Sequence, residues 1–181
     1  MKSTSISILK KKITKEGDFM YKKLLVAGAL ALSTCLTGTV GFAADTANHQ
    51  VITKNGEQAA VKGPTTIFNG NVIIEPLFNN IDDRNISGAY VTFEPGTHSS
   101  WHTHPKGQVL IVTEGQGLTQ EWGQPIQVIN PGDVIWCPPG VKHWHGAGYN
   151  TKMTHISLCE AVDGANVNWL EQVSDEQYHG K

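Results

Sequence analysis

From residue 71 to residue 160 the chain breaks into short runs rich in β-branched and aromatic residues, and each run ends in a turn signal. This punctuation restricts the fold more than any other feature. The runs are "NVIIEPLF" (71–78), "GAYVTFE" (88–94), "QVLIVTE" (108–114), "GLTQEW" (117–122), "IQVIN" (126–130), "DVIWC" (133–137), "KHWHGA" (142–147) and "KMTHISLCE" (152–160). Between them stand Pro95-Gly96, Gly115-Gln116-Gly117, Pro131-Gly132 and Pro138-Pro139-Gly140. Many short strands at this spacing make a sandwich or a barrel. A small barrel with alternating inward side chains can hold one ligand or metal at its mouth. Only the tail "SDEQYHG" (174–180) reads as helix, opened by Ser174 as a cap with Gln177 three residues on.

Histidines concentrate inside this strand-rich region. Side chains two apart on a strand share a face, so His102 and His104 of "WHTH" aim into one space. A loose bend through Pro105-Lys106-Gly107 can return Gln108 to that space. By the same rule His143 and His145 of "KHWHG" share a face. Imidazoles buried together need partners, and a divalent cation satisfies several at once. His155 lies on the next strand. If that strand runs antiparallel to the one carrying His145, the two become neighbours, and beside an open metal position they would form a proton-transfer pair. His98 falls in the turn after Pro95-Gly96, His49 in the N-terminal arm and His179 at the C-terminus; all three are expected at the surface. Trp101, Trp136 and Trp144 are expected to pack rather than to stack on a ligand.

The spacing has a double frame. Gly96, five residues, His102-x-His104, three residues, Gln108, six residues, Gly115 is the first half; Gly132, five residues, Pro138-x-Gly140, two residues, His143 is the second. This resembles the two motifs of the cupin superfamily over about residues 68–160, with Gln108 where a glutamate is usual and Ala147 where an asparagine is usual. The resemblance implies an all-β fold, the cupin double-stranded β-helix or jelly-roll barrel, here with a short C-terminal helix. It also implies metal ligands at His102, His104, Gln108 and His143. Three neutral imidazoles and an amide leave the ion's double charge uncompensated, which makes a stronger Lewis acid and removes a carboxylate base. With no thiolate in the set, manganese or iron suits it at least as well as zinc, and nickel or cobalt are possible; affinity order alone would favour copper or nickel, and the preference for manganese rests on the resemblance.

Within the superfamily the phrases "GAYVTFEPGTHSSWHTHPKGQVLIVTEG", "GDVIWCPPGVKHWHGA" and "MTHISL" are similar to the manganese-dependent cupin hydroxynitrile lyases. That likeness implies catalytic roles for His145 and His155. It also implies a substrate pocket walled by Ala89, Val91 and Phe93, on one face of a strand, with Ser99 beside them. The expected chemistry is carbon–carbon cleavage of a small hydroxy or oxo compound. A cupin dioxygenase or oxalate-type enzyme, and a non-catalytic metal- or ligand-binding cupin, are the competing classes. Cupins of this size are usually homodimers or homotetramers.

The front of the chain reads differently. Basic Tyr21-Lys22-Lys23, the apolar "LLVAGALALSTCL" (24–36), and small Gly41 and Ala43 before a cut are laid out as a secretory signal peptide over residues 1–43. Met20 is an alternative start, and Cys35 an alternative lipidation site. Residues 44–66 read as an N-terminal arm and 67–181 as the barrel domain. The expected product is exported, periplasmic or secreted, with no stable membrane insertion after cleavage. It would carry seven basic against fourteen acidic residues, a balance without a basic stripe that argues against nucleic acid. Cys137 and Cys159 are expected as thiols rather than a disulfide.

Overall fold

The structure, a computed structural model, describes residues 49–80 and 84–181. The signal peptide expected over residues 1–43 lies outside them. Eleven strands and one helix follow in order: β1 (Val61–Lys62), β2 (Val72–Phe78), β3 (Ile86–Phe93), β4 (His102–Thr103), β5 (Gln108–Gly115), β6 (Gly117–Glu121), β7 (Gln127–Ile129), β8 (Val134–Cys137), β9 (His143–Ala147), β10 (Met153–Glu160), β11 (Asn168–Trp169) and α1 (Asp175–Tyr178). One sheet runs β1-β2-β3-β10-β5-β8 and the other β11-β4-β9-β6-β7, with every named pairing antiparallel. Consecutive strands repeatedly switch sheets, which is the jelly-roll wrap. The match to the expected fold is close.

Alternation decides which side chains face inward. On β5, Gln108, Leu110 and Val112 are buried while Val109 and Ile111 are only half-buried. On β10, Met153, His155 and Cys159 are buried and Ile156 and Leu158 are not fully so. The core joins Phe68, Val72, Val91, Phe93, Val112, Ile129, Ala147 and Met153. A second cluster of Trp101, Leu118, Trp144, Val173 and Tyr178 seats the short helix. That helix has a complete capping box between Ser174 and Gln177, and the buried Tyr178 hydroxyl donates to the Ala147 carbonyl at 2.9 Å.

Two positions require glycine. Gly107 has φ +83°, and a Cβ there would stand 2.4 Å from the Trp136 ring. Gly115 has φ +73°, and its Cβ would collide with the Lys152 carbonyl oxygen at 1.8 Å. The first is the bend that starts β5 at Gln108; the second ends β5 and opens the turn to β6.

The structure corrects some expectations. His98 is buried at 1 % exposure, because its ring lies 4.6 Å from that of Tyr178 and packs beside Trp144 under α1. Trp136, expected to pack, is 54 % exposed on the edge strand β8; Trp101 and Trp144 are buried. Val61–Lys62, within the stretch expected as an N-terminal arm, pairs with β2 and adds a short strand to the sheet. As expected, Cys137 and Cys159 are both free thiols, and both are buried. Among the described residues no helix is long and apolar enough to cross a membrane.

Candidate metal centre and active site

Five imidazoles converge between the two sheets. His102 starts β4 and faces His143 on β9 in register, their rings 4.2 Å apart. His104 lies just past β4, 5.1 Å from His102 and 5.6 Å from His143 between ring centroids. His145, two residues beyond His143 on β9, is 5.2 Å from His102. His155 comes from β10 in the opposite sheet, and its Nε2 lies 3.2 Å from His145 Nδ1. The two do become neighbours, but across the barrel and not on adjacent strands: β9 pairs with β4 and β6, β10 with β3 and β5.

Backbone carbonyls set the tautomers of three rings. His102 Nδ1 bonds the Ser100 carbonyl at 2.9 Å, His143 Nδ1 the Val141 carbonyl at 3.0 Å, and His104 Nδ1 the Asn166 carbonyl at 2.5 Å. A carbonyl oxygen only accepts, so each Nδ1 carries the hydrogen and each Nε2 is left as a lone pair. His104 Nε2 is buried with no hydrogen-bond partner. His143 Nε2 meets the Gln108 side-chain oxygen at 3.1 Å, so two acceptors face each other with no hydrogen between them. A cation placed among these atoms would answer both the orphaned nitrogen and the facing pair. The donor set of Nε2 atoms and an amide oxygen therefore fits a divalent ion. By distance, His102, His143 and His145 also form a group that could hold a metal, their ligand atoms all within 4.8 Å of one another.

Burial keeps these rings neutral. It holds His102 and His145 well below the usual histidine range, helped at His102 by neighbouring His143 and at His145 by His155. It lowers His104 as well, and brings His143 and His155 each down to about 4.

Beside the cluster opens a cavity of about 270 Å³. Phe68, Ile74, Phe78, Ala89, Val91 and Trp169 form its apolar wall, and His102, His104, Gln108, His145 and His155 its polar end. Ala89 and Val91 thus line the cavity, but Phe93 and Ser99 do not. Phe93, buried at the end of β3, has its ring 5.7 Å from those of both His145 and His155. The Ser99 hydroxyl accepts from the His145 backbone N–H at 3.3 Å. Both brace the histidines from behind the wall. The sequence reading missed Ser157 and Cys159, which line the cavity two and four residues beyond His155; period-two counting along β10 would have found them. It also missed Trp169 and Asn166, which arrive on an irregular segment with no periodic signal.

A family model described as "Cupin domain" matches residues 89–159. An (R)-mandelonitrile lyase from Granulicella tundricola is 53 % identical over 127 residues, spanning 70 % of this chain and 97 % of that one. Among solved structures, a cupin-like protein from Thermotoga maritima is 38 % identical with a TM-score of 0.65, covering 71 % of this chain and 96 % of that one. A cupin 2 conserved barrel domain protein from Rhodopseudomonas palustris, 18 % identical, has a TM-score of 0.54 over 62 % of this chain and 77 % of that one, a likeness of fold alone.

Proposed function

This chain belongs to the cupin superfamily, and from that footing we propose that it is a metal-dependent lyase that cleaves small cyanohydrins, aryl ones among them. The observation that carries the reading is a set of three Nε2 lone pairs, that of His104 orphaned and that of His143 facing the Gln108 oxygen, with His102, His104 and Gln108 at the polar end of an apolar cavity. Support in kind comes from the relative named (R)-mandelonitrile lyase.

In this reading His102, His104, Gln108 and His143 hold the ion, with manganese preferred. When bound, the ion supplies Lewis acidity that lowers the pKa of a substrate hydroxyl. The chain's own groups do the rest. Phe68, Phe78 and Val91 hold the substrate's apolar part against the β2–β3 wall and keep water from it. His145 and His155, neutral and in contact, accept the hydroxyl proton. As the carbonyl forms, the bond to the nitrile carbon breaks, and cyanide leaves with its electron pair. The imidazole pair then returns the proton to cyanide. Ser99 and Phe93 hold His145 in place for that exchange.

We also propose that the chain is exported and acts as a homodimer or homotetramer. The motive for self-association is the outer face of the six-stranded sheet. There Val109, Ile111, Ile156 and Leu158 lie in register beside exposed Val134 and Trp136.

The test is cyanide release from mandelonitrile by protein loaded with Mn²⁺, by the same protein after chelation, and by chelated protein reloaded. The expected result is activity that disappears on chelation and returns on reloading. Turnover that is indifferent to metal, or none with any cyanohydrin, refutes the reading.

A further inference from the structure

Gln108 has two chemically different ends, and only its oxygen can bind a cation. A glutamate in this position would present oxygen whichever way it turned; an amide must be oriented. Locally the wrong orientation is attractive. His143 Nε2 is a lone pair 3.1 Å from Gln108 Oε1, so a reversed amide would place an N–H there and convert two facing acceptors into a hydrogen bond.

Strand β10 supplies what opposes the reversal. Gln108 Nε2 donates to Ser157 Oγ at 3.0 Å and reaches Cys159 Sγ at 3.5 Å. Cys159 is the cross-strand partner of Gln108, and Ser157 lies two residues earlier on the same inward face. The Ser157 hydroxyl and Cys159 sulfur are themselves 3.6 Å apart, so the amide nitrogen meets a matched pair of acceptors. Both side chains also line the cavity, which leaves the device at the edge of the substrate space.

We propose that Ser157, seconded by Cys159, is a positioning residue for the metal centre: it accepts the Gln108 amide N–H and so turns the amide oxygen toward the imidazoles. Accepting that hydrogen also shifts charge onto the oxygen and strengthens it as a ligand. This inference rests on the metal-centre reading above and deepens it. Its logic is specific to an amide. Against a carboxylate the same hydroxyl would donate, drawing charge away from the ligand.

The experiment measures Mn²⁺ affinity by the paramagnetic resonance signal of free Mn²⁺ during titration of the full folded chain, with the thermal midpoint of each metal-free variant as a check on folding. Ser157→Ala should weaken Mn²⁺ binding about tenfold, the scale of removing a hydrogen-bond partner from a ligating group. Ser157→Thr, which keeps the hydroxyl, should stay within about twofold of the parent. In a Gln108→Glu background Ser157→Ala should leave affinity unchanged or raise it. Equal weakening by Ser157→Ala in the glutamine and glutamate backgrounds overturns the proposal, as does a threonine variant as weak as the alanine one. A parent chain that binds neither Mn²⁺ nor Fe²⁺, Co²⁺, Ni²⁺ or Zn²⁺ overturns the metal-centre reading itself, and that failure is distinguishable because it appears before any variant is made.

Discussion

A buried imidazole is defined by what its two nitrogens touch, and here the five divide cleanly. His102, His104 and His143 each spend Nδ1 on a backbone carbonyl, whereas His145 and His155 meet each other. His155→Phe should therefore lower kcat for cyanohydrin cleavage by about 10²- to 10⁴-fold, the usual scale for losing a general base, while elemental analysis finds the metal content unchanged. Gln108→Ala should do the reverse, lowering metal retention first and activity in proportion. The same burial predicts an acid response. His155 has its folded-state pKa depressed to about 4, below the ordinary histidine value of 6.5. Its neutral form is therefore favoured by folding above pH 6.5, and that contribution fades as pH falls from about 6.5 toward 4. In chelated protein the thermal midpoint should drop across that window, and His155→Phe should make the drop smaller without abolishing it, because His102, His104, His143 and His145 are lowered by burial as well. The pairing of His102 with His104 and of His143 with His145 was legible from period two alone. The buried site of His98 was not, because its neighbours Tyr178 and Trp144 come from segments far away in sequence.

Elements place these residues, and the turns between them carry strict demands. Gly107 permits the sharp entry to β5 that returns Gln108 to the histidines; its φ of +83°, and the Trp136 ring 2.4 Å from where a Cβ would stand, leave no room for a side chain. Gly107→Ala should cost about 1–3 kcal/mol in chemical denaturation and also weaken metal binding, because the strain falls on the residue before Gln108, the proposed ligand. The longer strands could be read from their β-branched runs and turn residues, to within a residue or two at most ends. The two-residue strands β1, β4 and β11 could not, since none is long enough to display alternation; each exists because a neighbouring strand offers an unpaired edge. The segment carrying β11 shows the point best. It crosses beside the cavity, offers the Asn166 carbonyl to His104, sets Trp169 against His102 at 4.8 Å, and is tied down by the Lys142–Glu171 ion pair. None of those contacts has a periodic signature in "DGANVNWLE".

For the whole molecule the two faces of the six-stranded sheet differ in purpose. The inner face supplies Gln108, His155, Ser157 and Cys159 to the cavity; the outer face presents Tyr90, Val109, Ile111, Ile156 and Leu158 in register, running out to Val134 and Trp136, which are 65 % and 54 % exposed. Light scattering should find an oligomer, and Val134→Lys with Trp136→Glu should shift it toward monomer with the barrel's circular dichroism intact. The double-sheet architecture was legible from strand spacing, but which sheet each histidine would join was not, because that depends on pairings such as β10 with β3 that link distant parts of the chain. That partition has an effect on endurance. His145 belongs to one layer and His155 to the other, so their 3.2 Å meeting lasts only while the layers stay clasped. A shift of about an ångström between the layers would already stretch that contact beyond hydrogen-bonding distance.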